Sequence, residues 1–255
     1  MPSISEIIAS KNGHMDELLA TFEAQYSGFA SKLQRELVAL FRAGTFDRDS
    51  ILAAFSGNGF TEIVDDFVTR QGELLQYAGE LSTALGTGFN LRASSIRLLE
   101  LVADQNVGNL LDARDSIVSA MMDAGLKNEL DGLPFKSIVS SLQERVDELG
   151  RRLAVEAQTG ISIFDRTIKS EQFADGDVQR FIYVGPLDDK TRQNCADVLT
   201  DSRNTDEEGF TRDDILDLDG VDFVTGGGYN CRHEWLPAVP GAQAVLDEMA
   251  GASDG

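Results

Sequence analysis

From Leu18 onward the large apolar side chains fall at Leu18, Phe22, Tyr26, Phe29, Leu33, Leu37 and Leu40, spaced by threes and fours. That spacing predicts an amphipathic helix, ended by Gly44 after Arg42. Asp47 or Asp49 caps a short helix through Ile51, Leu52 and Phe55, and the run Ser56-Gly57-Asn58-Gly59 closes it. Thr61 opens a further helix, Glu62 to Leu85, which Gly86-Thr87-Gly88 breaks. Residues 91–124 repeat the pattern at Ile96, Leu99, Val102, Leu110, Ile117 and Met121, with an interruption expected near Asn106-Gly108. Beyond Gly132 and Pro134 the longest stripe begins. Leu142, Val146, Leu149, Leu153, Ala157, Ile161, Phe164 and Ile168 keep the same spacing over roughly seven turns. Gly150 and Gly160 lie inside it, each costing about 1 kcal/mol relative to Ala, and mark either a close helix neighbour or a kink. Most of these stripes are read as the chain's own core; long two-sided helices also suit packing on other subunits.

The pattern changes after Phe173-Ala174-Asp175-Gly176. Phe181-Ile182-Tyr183-Val184 is β-branched and aromatic and predicts a strand, stopped by Gly185-Pro186. A helix is expected over Asp188–Leu199 with Asp188 or Asp189 as its cap. A second is expected over Thr211–Leu218, where Thr211 and Asp214 stand at capping-box spacing. Gly226-Gly227-Gly228 forms a loop into a strand over Tyr229–Leu236, and the tail after Pro237 offers a short helix and a frayed end. The expected fold is therefore mainly α: a long-helix N-terminal region, residues 1–172, followed by a small α+β module, residues 173–240, and a C-terminal tail, 241–255.

Composition narrows the partners. The 255 residues include 43 acidic and 22 basic side chains, a net charge of −21, and residues 176–255 alone carry −11. Phosphate binding depends on Lys and Arg releasing counterions, so direct nucleic-acid binding is not expected. An anionic membrane surface is disfavoured for the same reason, and no apolar run approaches the ~20 residues of a transmembrane helix. The N-terminus lacks the layout of a signal peptide, and two cysteines do not make a secreted disulfide scaffold. A cytosol-like compartment is the expectation.

Candidate chemistry concentrates near the C-terminus. Cys195, Cys231 and His233 include both cysteines and one of two histidines, the other being His14. Cys231 and His233 stand two apart, which in an extended chain puts them on one face. Two thiolates and an imidazole suit zinc, with Asp189, Asp197 or water as fourth ligand. A Cys195–Cys231 disulfide, or two buried thiols beside an unrelated histidine, are the alternatives. The acidic run from Asp206 to Asp222 does not fit a calcium loop: aligning Asp217-Leu218-Asp219-Gly220 to the pattern puts Ile215 first and Gly226 last. The triple glycine lacks a following GK[ST], so it is no phosphate loop. No GxSxG elbow accompanies the available serines. No catalytic set assembles, and the chain is not expected to be an enzyme.

The segment from Gly185-Pro186-Leu187-Asp188-Asp189-Lys190-Thr191-Arg192 to Cys195, with Thr211-Arg212-Asp213-Asp214-Ile215 and then Asn230 to Pro237, resembles the C-terminal module of tailed-phage minor head proteins. These are the Mu F-like head-morphogenesis proteins. The likeness covers roughly residues 137–240, including the helix from Ser137 to Ser170. It implies a virion protein of the head or neck, present in the host cytoplasm during assembly. Such a protein would be bound to portal or capsid proteins and act in head assembly or DNA packaging and delivery through protein–protein contacts. Two other functions are compatible with the residues. One is a metal-dependent hydrolase or toxin-type module using the Cys/His site with Glu234 or Asp197 as base; the other is a cytosolic helical adaptor.

Overall fold

The computed structural model describes residues 2–86, 91–175, 178–228 and 231–239. Its elements run α1 (Ile4–Ala43), α2 (Arg48–Gly57), α3 (Phe60–Gln71), α4 (Leu74–Leu85), α5 (Ala93–Leu130), α6 (Phe135–Asp175), β1 (Phe181–Val184), α7 (Gln193–Leu199), α8 (Arg212–Leu216) and β2 (Glu234–Pro237). The fold is mainly α with a small α+β C-terminal part, as the hydrophobic pattern predicts. Among the described residues no helix is long and apolar enough to cross a membrane.

Local chemistry explains most boundaries. Gly44 adopts φ +70° after the last turn of α1, a conformation that glycine reaches without steric cost. Asp47 is the cap of α2, its carboxylate accepting from Ser50 N. Thr211 and Asp214 complete a reciprocal capping box on α8, and Gly132 turns the chain at φ +60° between α5 and α6.

Four boundaries differ from the pattern. The expected helix 62–85 is two helices, α3 and α4, divided at Gly72 and Glu73. No interruption occurs at Asn106-Gly108, where α5 is continuous. The helix expected from Asp188 begins only at Gln193 with Arg192 at its cap, because Asp188 and Thr191 close a turn on each other first. The second strand is shorter, starting at Glu234. Residues 87–90, 176–177, 229–230 and those from 240 onward lie outside the described residues, and so do the expectations that fall on them.

The chain packs as two compact units, one of residues 15–72 and 103–158, the other of 1–14, 73–102 and 159–255. The compositional break near 172 marks a change of secondary structure, whereas the compact units follow packing. The C-terminal module shares its unit with the first residues of α1, with α4 and with the last turns of α6.

In the first unit α1 contributes Leu18, Phe22, Phe29, Leu33 and Leu37 to a core shared with Phe55, Phe60, Phe67, Met121, Leu142 and Leu149, all buried. Phe29 meets Phe55 and Phe60 with ring centroids 5.5 and 5.4 Å away. In the second unit β1 and β2 pair antiparallel, with Phe181 opposite Pro237 and Tyr183 opposite Trp235. Both strands are buried, in a core with Ile7, Ile8, Leu81, Phe173, Phe210 and Ile215.

Gly150 is a close approach and not a kink. A Cβ there would lie 2.7 Å from the ring of Tyr26, whose hydroxyl donates to Val146 O at 2.6 Å. Helix propensity alone favours Gly150→Ala, and packing reverses the sign. This variant should lose about 1–3 kcal/mol by overpacking. Gly108→Ala, whose Cβ meets nothing closer than 3.9 Å, should gain about 0.5–1 kcal/mol. Urea unfolding of the two variants checks the opposite signs.

Candidate metal centre

β1 sets the position of Tyr183, and the side chain of Asn204 locks it there. Asn204 Oδ1 accepts from Tyr183 N at 2.7 Å while its Nδ2 donates to Tyr183 O at 2.9 Å, imitating a neighbouring strand. α7 carries Cys195 into the same volume, and the stretch after the glycine loop brings Cys231 and His233. All three are buried, and their ligand atoms lie within 4.8 Å of one another. The sulfurs stand 3.8 Å apart as free thiols, far beyond the ~2.05 Å of a disulfide. His233 Nδ1 faces Cys231 Sγ at 3.5 Å.

The other imidazole nitrogen fixes the tautomer. His233 Nε2 stands 2.8 Å from Pro186 O, and a carbonyl only accepts, so the proton belongs on Nε2. Nδ1 is left facing the thiols, and this is how a metal-binding histidine is oriented by a carbonyl behind it. Cys231 also accepts from Gly227 N at 3.1 Å. Hydrogen bonds from the Cys195 thiol, then from the backbone N–H groups of His233 and Gly227, hold Cys231 well below the ordinary thiol range, against its burial. Cys195 is pushed up, first by its hydrogen bond to Cys231 and then by desolvation. Cys231 is the more acidic thiol of the pair, and the set can hold a metal ion.

Glycines make this crowding possible. A Cβ on Gly227 would overlap Cys195 Sγ, and one on Gly185 would overlap the ring of His233. Arg166 of α6 supports the loop from below, donating to Thr225 O at 3.1 Å, to His233 O at 3.0 Å and to Cys231 O. One buried guanidinium thus collects carbonyls on both sides of the glycine run.

The chain's alternation turns Glu234 away from the thiols. Its carboxylate meets Lys11 at 2.8 Å and also Lys169, while Asp165 meets Lys11 at 2.7 Å and Lys169 at 3.1 Å. Burial works against the Glu234 carboxylate, and the two ammonium groups more than offset it, lowering its pKa. Lys169 is lowered mainly by desolvation. Lys11 is raised: its desolvation is outweighed by Asp165 and Glu234.

The structure brings together Cys195, Cys231 and His233 and leaves the other sequence candidates outside. Asp189 and Asp197 do not join the group, and Asp197 accepts instead from Gln193 one helical turn away. Glu234, weighed as a base, is enclosed in the ion cluster. His14 pairs with Glu73 Oε2 at 3.1 Å. Tyr183, Arg166, Lys11, Asp165 and Lys169 were not singled out by sequence; the one available signal was Tyr183's place in the apolar strand before Gly185-Pro186.

Compared with family models, characterised proteins and solved structures, the chain has no match.

Glu234→Gln should destabilise the folded chain by about 3–5 kcal/mol, since it leaves two buried ammonium groups with one carboxylate. Chemical unfolding measures this. A loss below about 1 kcal/mol, the value of an exposed pair, would mean that water reaches the lysines.

Proposed function

We propose that this chain is a structural minor head protein of a tailed phage, held in the head or neck by portal or capsid contacts, with its C-terminal module locked by zinc. The observation that carries it is how the two ends of the resembling segment meet. Asp188 accepts from both terminal nitrogens of Arg232, at 2.6 and 2.8 Å. Arg192 donates to Gly227 O at 3.1 Å, and Thr191 closes the Asp188 turn. Asp188 is held well below the usual carboxylate range, chiefly by the Arg232 guanidinium. The charged residues that define the likeness thus bind one another across the module, as parts of a clasp.

The ligand set suits zinc. Tetrahedral zinc with bonds of about 2.3 Å to sulfur and 2.05 Å to nitrogen separates two sulfurs by about 3.8 Å and sulfur from nitrogen by about 3.5 Å. The Cys195–Cys231 and Cys231–His233 separations are 3.8 and 3.5 Å, and the third pair lies within 4.8 Å, so an ion would draw Cys195 and His233 together. Exposed Leu126, Leu130 and Leu133 around the α5–α6 turn supply apolar surface of the sort that protein contacts cover. The net charge of −21 favours protein partners over packaged DNA.

Mass spectrometry of purified particles of the encoding phage should find the chain in procapsids or mature heads, and absence from both would overturn the assignment. Metal analysis of the purified chain should find one zinc, lost in Cys231→Ala. Chelation should lower the unfolding midpoint of the wild type, because binding energy at such a site is folding energy.

A further inference from the structure

Three donors leave one corner of a tetrahedral ion open, and what fills it decides whether the centre can act on a substrate. Among the described residues no further Cys, His, Asp or Glu joins the group. The hydroxyl of Tyr183 does reach it, 3.5 Å from Cys195 Sγ and 3.6 Å from Cys231 Sγ. An oxygen about 2.0 Å from tetrahedral zinc lies about 3.5 Å from a sulfur bound at 2.3 Å, so both separations fit an oxygen corner.

We propose that the Tyr183 hydroxyl takes the fourth corner of the centre and seals it against water, an inference that rests on the metal assignment above. The ring has no alternative placement. It is fully buried, stacked on His233 with centroids 5.4 Å apart and packed on Trp235 at 4.6 Å, and its backbone N–H and C=O are both held by Asn204. The glycine loop packs close beside it: a Cβ on Gly226 would stand 3.4 Å from the Tyr183 oxygen and 3.0 Å from Cys231 Sγ. Four protein groups with no position for water make a closed structural site, whereas hydrolysis requires an open one.

The test uses the full-length chain loaded with cobalt(II), read by its visible absorption and by relaxation of solvent water protons. Wild-type protein should show tetrahedral cobalt, no first-sphere water and no response to added azide. Tyr183→Phe keeps the ring packing; it should bind cobalt roughly 10- to 100-fold more weakly and gain a spectrum that azide changes. A first-sphere water or an azide response in the wild type overturns the proposal, as does a Tyr183→Phe spectrum identical to wild type and indifferent to azide. Should Tyr183→Phe fail to fold, the two wild-type measurements decide alone. Wild-type protein that takes up neither cobalt nor zinc refutes the metal assignment itself, an outcome distinct from cobalt bound with an open corner.

Discussion

Glu234 is a buried carboxylate between the ammonium groups of Lys11 and Lys169, with Asp165 completing the square. Four charges cannot be taken out of water unless each keeps its partners, so this contact fixes where Glu234 sits. Because an extended chain alternates sides, fixing Glu234 also fixes His233 and Trp235 on the opposite side, against Tyr183. A slip of one residue would drive the carboxylate into the thiols and turn the imidazole toward two lysines. Both halves of that exchange are costly, so the ion cluster and the Cys/His cluster enforce a single register. Asp165 and Lys169 lie one helical turn apart, which puts them on one face of α6.

Periodicity made the long helices legible because their cores are built by the elements themselves. The stripe of α1 from Leu18 to Leu37 is buried at each named position, and the caps at Asp47 and Thr211 follow from side-chain chemistry within three residues. The failures share a cause. Gly72 ends a helix that the stripe would continue, while the Gly108 region is spanned by a helix that composition would break. Tertiary packing decides such points, and propensities of about 1 kcal/mol are too small to overrule it. The meeting of Cys195, Cys231 and His233 was legible from residue chemistry and spacing. Tyr183 was not, because its part depends on a pairing opposite Trp235 that no local pattern encodes.

The glycines illustrate the same limit from the other side. Read along the chain, Gly226-Gly227-Gly228 is a flexible entry to a strand. In the folded module Gly227 is packed so tightly against Cys195 Sγ that no side chain fits, and Gly185 is packed likewise against His233. These positions are defined by close approach, with backbone freedom needed at Gly226, where φ is +60°. A loop that looks permissive in sequence is one of the most constrained parts of the molecule.

Residues 176–255 carry a net charge of −11, and such charge opposes compaction through self-repulsion. Among the described residues the module's sheet has two strands, too few for independent stability without further packing. Its attachments are therefore cationic where they are buried: Arg166 gathers the loop carbonyls, and Lys11 with Lys169 receives Glu234. A divalent ion among two thiols, an imidazole and a phenol, as proposed above, would continue the same logic at the centre of the module. It would supply positive charge beside Cys231, whose thiol is held below the ordinary range, and would tie α7 to the chain entering β2 across the intervening acidic stretch. On the proposed reading, an acidic module held together from inside by buried cations suits a component of an assembly better than a site that must open to a substrate.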